Sequence, residues 1–151
     1  MPVLPLLVVD AANVVGSRPD GWWRDRPAAT MRLRDALVPV ARAGLPGLSP
    51  PLELVLVVEG AARRVAPVRG VRVVAARGCG DDAIVDLVRT EGYGRLCVVV
   101  TADRALRARV EEAGASVRGP AGFAIRKNTT ITVIRRSTAQ GDCSRHGPDR
   151  F

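Results

Sequence analysis

The sequence predicts an α/β fold, a three-layer αβα sandwich in which helices cover both faces of a parallel sheet. Three observations lead there. Aliphatic runs recur at Val3–Val9, Glu53–Val58, Val71–Ala75 and Leu96–Val100, with a shorter candidate at Ser116–Val117. They are apolar throughout, as in strands buried on both faces. Helical patterns separate several of them, the rhythm of β–α–β units. At 151 residues and 47% hydrophobic, the chain is also long and apolar enough for one compact core.

The elements follow in order. Seven of the first nine residues are apolar, and no basic segment precedes them, so Val3–Val9 reads as a strand and not a signal peptide. The segment "DAANVVG" (Asp10–Gly16) shows no obvious helix pattern. In "PAATMRLRDALVPVARAG", Leu33, Leu37 and Val40 share one helical face, with Pro27 near the start and Gly44 at the end. Pro39 is expected to kink or shorten that helix. "GLPGLSPP" is a connection ahead of the second strand. "DDAIVDLVRTEG" places Ile84, Leu87 and Val88 inward, and "ADRALRARVEEAG" places Leu106 and Val110 inward before Gly114 stops the helix. Residues 1–120 therefore form the domain. Residues 121–151 are an atypical tail, holding the only Lys and His, in which "TITVI" can add an edge strand before an expected disordered end.

The net charge is +8, and Lys127 is the only lysine among 23 basic residues. Arginine forks match phosphate oxygens, so the balance favours a polyanionic partner such as RNA, although a GC-rich gene also raises arginine. No apolar run approaches the roughly 20 residues that span a bilayer, so no membrane partner is expected. Cys79, Cys97 and Cys143 have no CxxC spacing and an odd count, which suits the reducing cytoplasm. Cys97 reads as a core residue and Cys79 as a loop thiol. His146 stands alone in the tail.

The acids carry the functional signal. Asp10 ends the first strand, Glu59 the second; Asp81 and Asp82 open the helix after the third, and Asp103 follows the fourth. All fall at the carboxyl edge of the predicted sheet, where open α/β folds bind ligands. Crowded carboxylates call for a cation, and oxygen-only ligands point to Mg²⁺ or Mn²⁺. Such an ion lowers the pKa of a bound water and clamps a phosphate. Asn13 serves as a neutral ligand or as a donor that orients an oxygen. The plain alternative is that each acid only caps a helix.

The segments "VVDAANVVG", "GDDAIVDLV" and "VVVTADRALRARVEEAGASVRGP" resemble the NYN branch of the PIN-like metal-dependent ribonucleases, close to the bacterial YacP-like group, over about residues 3–120. The resemblance implies a Rossmann-like sheet of order 3-2-1-4-5, a divalent metal and hydrolysis of RNA phosphodiesters. It matches Asp10, Asp82 and Asp103 to the family's catalytic acids, with Asp81 beside them as a further metal ligand. Asn13 matches the family's asparagine. Thr101 stands in the turn after the fourth strand, where it can hydrogen-bond a ligand, and Arg104 flanks it as a supporting residue. Glu59 occupies a place where relatives often carry aspartate. A homodimer is compatible with all of this.

Rival readings remain. "GCGDDA" formally matches a dinucleotide fingerprint, but Asp81 and Asp82 would set negative charge against a pyrophosphate. No GK[ST] exists for a P-loop. A nucleotide (NTP) pyrophosphohydrolase would use the same carboxylates. A non-catalytic RNA-binding module would use Trp22–Trp23 among Arg24, Arg26, Arg32 and Arg34 to stack bases, although such a pair more often packs a loop.

Overall fold

The computed structural model describes residues 3–17 and 21–120, together with two short strands beyond them at 123–125 and 131–133. Five strands, β1 (Leu6–Asp10), β2 (Glu53–Val58), β3 (Arg72–Ala75), β4 (Cys97–Val100) and β5 (Ser116–Arg118), form one parallel sheet of order β3-β2-β1-β4-β5. This is the α/β architecture and strand order expected from the sequence. The helices are α1 (Ala11–Gly16), α2 (Arg26–Ala43), α3 (Gly80–Glu91) and α4 (Arg104–Glu112).

Successive side chains of a strand point to opposite faces, and the core divides accordingly. On one side Leu7, Val9, Leu54, Leu56, Val98 and Val100 pack against Val14 and Val15 of α1 and Leu33, Leu37 and Val40 of α2. On the other, Leu6, Val8, Val55, Val57, Cys97 and Val99 pack against Ile84, Val85 and Val88 of α3 and Leu106 and Val110 of α4. The helix faces are those the periodicity predicts. Burying each such aliphatic side chain stabilises the fold by roughly 1.5–3 kcal/mol, which is why β1, covered on both faces, tolerates no polar residue before its last.

Four expectations need correction. The first strand begins at Leu6, not Val3, because Val3 and Leu4 are exposed. The segment after Asp10 is a helix: Ala11, Val14 and Val15 are buried at i, i+3, i+4 spacing, a six-residue signal too short to stand out. Pro39 does not shorten α2, which runs on to Ala43. Its ring is exposed, while Leu37, Val40 and Ala41 around it are buried, and that burial outweighs the missing hydrogen bond. Finally, "TITVI" does not extend the main sheet. Its Ile131–Val133 (β7) pairs antiparallel with Phe123–Ile125 (β6) as a separate two-stranded sheet beside α2. The expected disordered end and His146 lie outside the described residues, as do Cys143 and Arg135–Arg136. Among the described residues, no helix is long and apolar enough to cross a membrane.

Helix α2 ends on Gly44 at φ 78°, ψ −175°, and a Cβ there would stand 2.5 Å from the carbonyl oxygen of Leu48 and 2.7 Å from Pro50 Cδ. Only glycine fits both the backbone angle and the space. Gly44→Ala is expected to cost about 2–4 kcal/mol, read as a fall of several degrees in Tm, whereas Gly70→Ala, which meets nothing within 4 Å, is expected to carry only the backbone part of that loss.

Candidate active site

The period-two alternation of the strands builds the site. Asp10 is the next residue in the series Leu6, Val8 that faces α3 and α4. Thr101 continues Cys97 and Val99, and Glu59 continues Val55 and Val57, on the same face. Val9 lies opposite Val100 in register, so Thr101 follows directly beside Asp10. The first turns of α3 and α4 then bring Asp81 and Asp103 over this edge.

A small network fixes Asp10. The residue as a whole is 7% exposed. Oδ2 accepts from Thr101 Oγ1 at 3.0 Å, and Oδ1 accepts a longer bond of 3.4 Å from the backbone N–H of Asn13, so Asp10 is the N-cap of α1. Thr101 Oγ1 in turn accepts from the backbone N–H of Asp103 at 3.1 Å. Asn13 Oδ1 accepts from the N–H of Ala102 at 2.8 Å. The loop after β4 is thus clasped from two sides by residues that belong to β1 and α1. Asp103 caps α4 through Oδ1, 3.0 Å from the N–H of Leu106. Arg104 is exposed at the first position of α4.

Glu59 does something the sequence reading missed. Helix α3 has no side-chain cap from its own chain neighbour Cys79. Glu59, arriving from β2, accepts from the N–H of Gly80 at 2.6 Å and supplies that cap across space. No local motif signals this, because the partners are 21 residues apart.

Of the adjacent pair in α3, Asp81 is partly buried and feels the charges of Asp103, Glu59 and Asp82, as well as the opposing charge of Arg109. Asp82 is 70% exposed and ion-paired with Arg109 at 3.1 Å. The distinction was available in the helical period: Asp81 lies three, four and seven residues before the buried Ile84, Val85 and Val88, while Asp82 aligns with exposed Asp86 and Arg89.

Burial is the main reason the Asp10 carboxyl is pushed up to about 6; the bonds from Thr101 and Asn13 oppose this, and the charges of Asp81 and Glu59 add to it. Asp81 is raised as well, by burial and then by Asp103 and Glu59. Among the described residues, no three His, Cys, Asp or Glu side chains stand close enough to cage an ion as they are now placed. The caps on Gly80 and Leu106 hold one oxygen each of Glu59 and Asp103. The donor chemistry nevertheless fits Mg²⁺ or Mn²⁺: every candidate is a carboxylate oxygen, and both the burial and the neighbouring negative charges that raise Asp10 and Asp81 are offset by a bound cation.

The other singled-out residues fall as follows. Cys97 is buried in β4, and burial pushes its thiol up to about 11; Cys79 is exposed. Trp22 packs partly against the core while Trp23 is 59% exposed, their rings meeting edge to face at 6.0 Å.

A five-stranded parallel sheet of this order, helix-covered on both faces and with acids at its carboxyl edge, is a Rossmann-like αβα sandwich. No family model matches the chain, and no curated protein matches it in sequence. Among solved structures it is similar to Rae1 (YacP) from Bacillus subtilis, a crystal structure of a single-residue mutant, with a TM-score of 0.59. The match covers 78% of this chain and 70% of that one at 17% identity. The likeness is one of fold, and the neighbour carries the name of the group whose motifs the sequence resembles.

The raised Asp10 has a consequence for stability. Its native form holds a proton more tightly than the unfolded chain does, so the metal-free protein loses stability as pH rises from about 4 through about 6. The shift corresponds to roughly 3 kcal/mol against the charged form. Asp10→Asn is therefore expected to raise Tm in EDTA at pH 7.5 by several degrees, with little gain at pH 4. Thermal melts of both proteins across that range check it, and an equal or lower Tm for the variant at pH 7.5 would contradict it.

Proposed function

We propose that the chain is a divalent-metal-dependent ribonuclease that hydrolyses RNA phosphodiesters at the carboxyl edge of its sheet. The observation that carries this reading is the buried Asp10 carboxylate, held by Thr101 and facing the charges of Asp81 and Glu59. A carboxylate in that position costs stability, and a group kept at such a cost in a cleft is a functional-site candidate. The fold likeness to Rae1 (YacP), the motif resemblance and the +8 charge support the same reading.

Asp10, Asp81 and Asp103 would hold Mg²⁺ or Mn²⁺, Asp103 through the oxygen its capping bond leaves free. The ion would supply a water of lowered pKa and neutralise charge at the phosphate. Thr101 keeps Asp10 in one orientation. Asn13, with Oδ1 committed to Ala102, has its Nδ2 left to donate to a sugar or phosphate oxygen. Glu59 fixes the first turn of α3, and with it Asp81. Arg104 and the surrounding arginines hold the RNA backbone over the acids.

Labelled single-stranded and structured RNAs incubated with Mn²⁺ or Mg²⁺ test the proposal. Cleavage is expected with metal, none in EDTA, and none from Asp10→Asn/Asp103→Asn. Cutting that survives both would overturn it. Binding without cutting favours an RNA-binding module, and hydrolysis of nucleoside triphosphates with RNA untouched favours a pyrophosphohydrolase. Three further variants grade the residues. Asp81→Asn is expected to reduce cleavage more than Asp82→Asn, and Thr101→Val, which removes a supporting bond, to reduce it roughly 10–100-fold. The rates of the three variants under one metal concentration decide the order.

A further inference from the structure

Beside the acidic edge, on the opposite face of the sheet, α1, α2 and the 3₁₀ turn Gly60–Ala62 enclose a pocket of about 170 Å³. Its floor is small and apolar, with Ala12, Val15 and Ala62. One wall is the Trp22 indole, with the Arg26 guanidinium 5.2 Å from the ring centroid. Glu59 stands on its rim, and the same side chain caps α3 and lies within charge range of Asp10. The pocket and the candidate active site thus share one residue, and Ala11 and Ala12 of the pocket follow Asp10 directly in the chain.

We infer that this pocket receives a single unpaired nucleobase of an RNA strand whose backbone crosses the acidic edge. Size, shape and charge argue for that occupant. A cavity of about 150 Å³ accepts one benzene ring, and ligand pockets for larger molecules run to about 300 Å³ and above, so the space suits one planar ring system. An indole and a guanidinium are the two flat side-chain surfaces on which bases stack. Every nucleobase carries at least one N–H, and Glu59, with one oxygen on Gly80, has the other to accept it. The turn that closes the pocket continues into a second, more open hollow of about 380 Å³ lined by Gly60, Arg63 and Arg64. Its two exposed arginines are placed for the next phosphate. The indole that the sequence alone suggests is mainly packing has both roles: one part rests on the core, another lines the pocket.

The inference rests on the ribonuclease reading for its ligand class, but its test does not need cleavage. The chain has two tryptophans, so Trp23→Phe leaves Trp22 as the only indole reporter. This protein is titrated in EDTA with a 2′-O-methyl RNA oligonucleotide, and with the same backbone carrying abasic positions, while anisotropy of an end label reports total binding. The base-bearing strand is expected to change Trp22 emission and to bind roughly tenfold or more tightly than the abasic strand. Ala12→Leu, at an exposed helical position that fills the pocket, is expected to collapse that difference, with an unchanged melt showing that the fold survives. Equal affinity for the two strands, binding that leaves Trp22 emission unmoved, or no binding at all would each overturn the pocket. Base-dependent emission without metal-dependent cutting would keep the pocket and remove the ribonuclease reading; cutting without it would do the reverse.

Discussion

Everything in this molecule is arranged around a central strand that has water on neither face. β1 pairs with β2 on one side and β4 on the other, and helices lie above and below it. Four consecutive residues, Leu6 to Val9, are essentially inaccessible. A strand so placed can carry charge only where it leaves the sheet, and there the alternation of side chains decides which way the charge points. Asp10 is at that place and points toward α3 and α4. The bond from Thr101, 3.0 Å away on the neighbouring strand's continuation, is what makes the position tolerable for a carboxylate.

The acids of the edge serve the fold and the site at once. Asp10, Asp103 and Glu59 all satisfy backbone N–H groups at the starts of helices, two within their own segments and one across the sheet. The reading of such residues as caps and the reading of them as ligands are therefore not exclusive. Each carboxylate has two oxygens, and a capping bond uses one. The cap also fixes the side chain in place, which lowers the entropy lost when the second oxygen takes a partner. Asp81 is the exception: it caps nothing, and the rotation of α3 alone carries it inward.

Much of this was legible before the coordinates. Uninterrupted aliphatic runs gave the strands, because a strand buried on both faces has nothing else to be made of. The carboxyl-edge position of Asp10, Asp81, Asp82 and Asp103 followed from their place just after the strands or at the start of the next helix. What stayed hidden has physical reasons. Helix α1 has only six residues and so little more than one turn of periodicity. Pro39 reads as a breaker locally, but tertiary burial of its neighbours decides the outcome. The choice between Asp81 and Asp82, by contrast, was open to the sequence through the phase of α3, in which Asp81 lines up with Ile84, Val85 and Val88. Glu59's hold on Gly80 and the pocket at Trp22 arise between segments far apart in the chain, where no spacing rule applies.

The opposite end of the sheet is built differently. There Glu53 and Glu91 are matched by Arg72 and Arg95: Arg72 grips both carboxylates, and Arg95 reaches Glu53 at 2.9 Å and the carbonyl of Leu4. At the carboxyl edge, by contrast, Arg63, Arg64 and Arg77 have no carboxylate partner among the described residues. Arg72 and Arg95 thus neutralise two acids at that end, while Arg63, Arg64 and Arg77 leave positive charge beside the acidic notch. For a polyanionic ligand of the kind proposed above, charge placed this way would speed the encounter, and added salt would slow it by shortening the reach of the field.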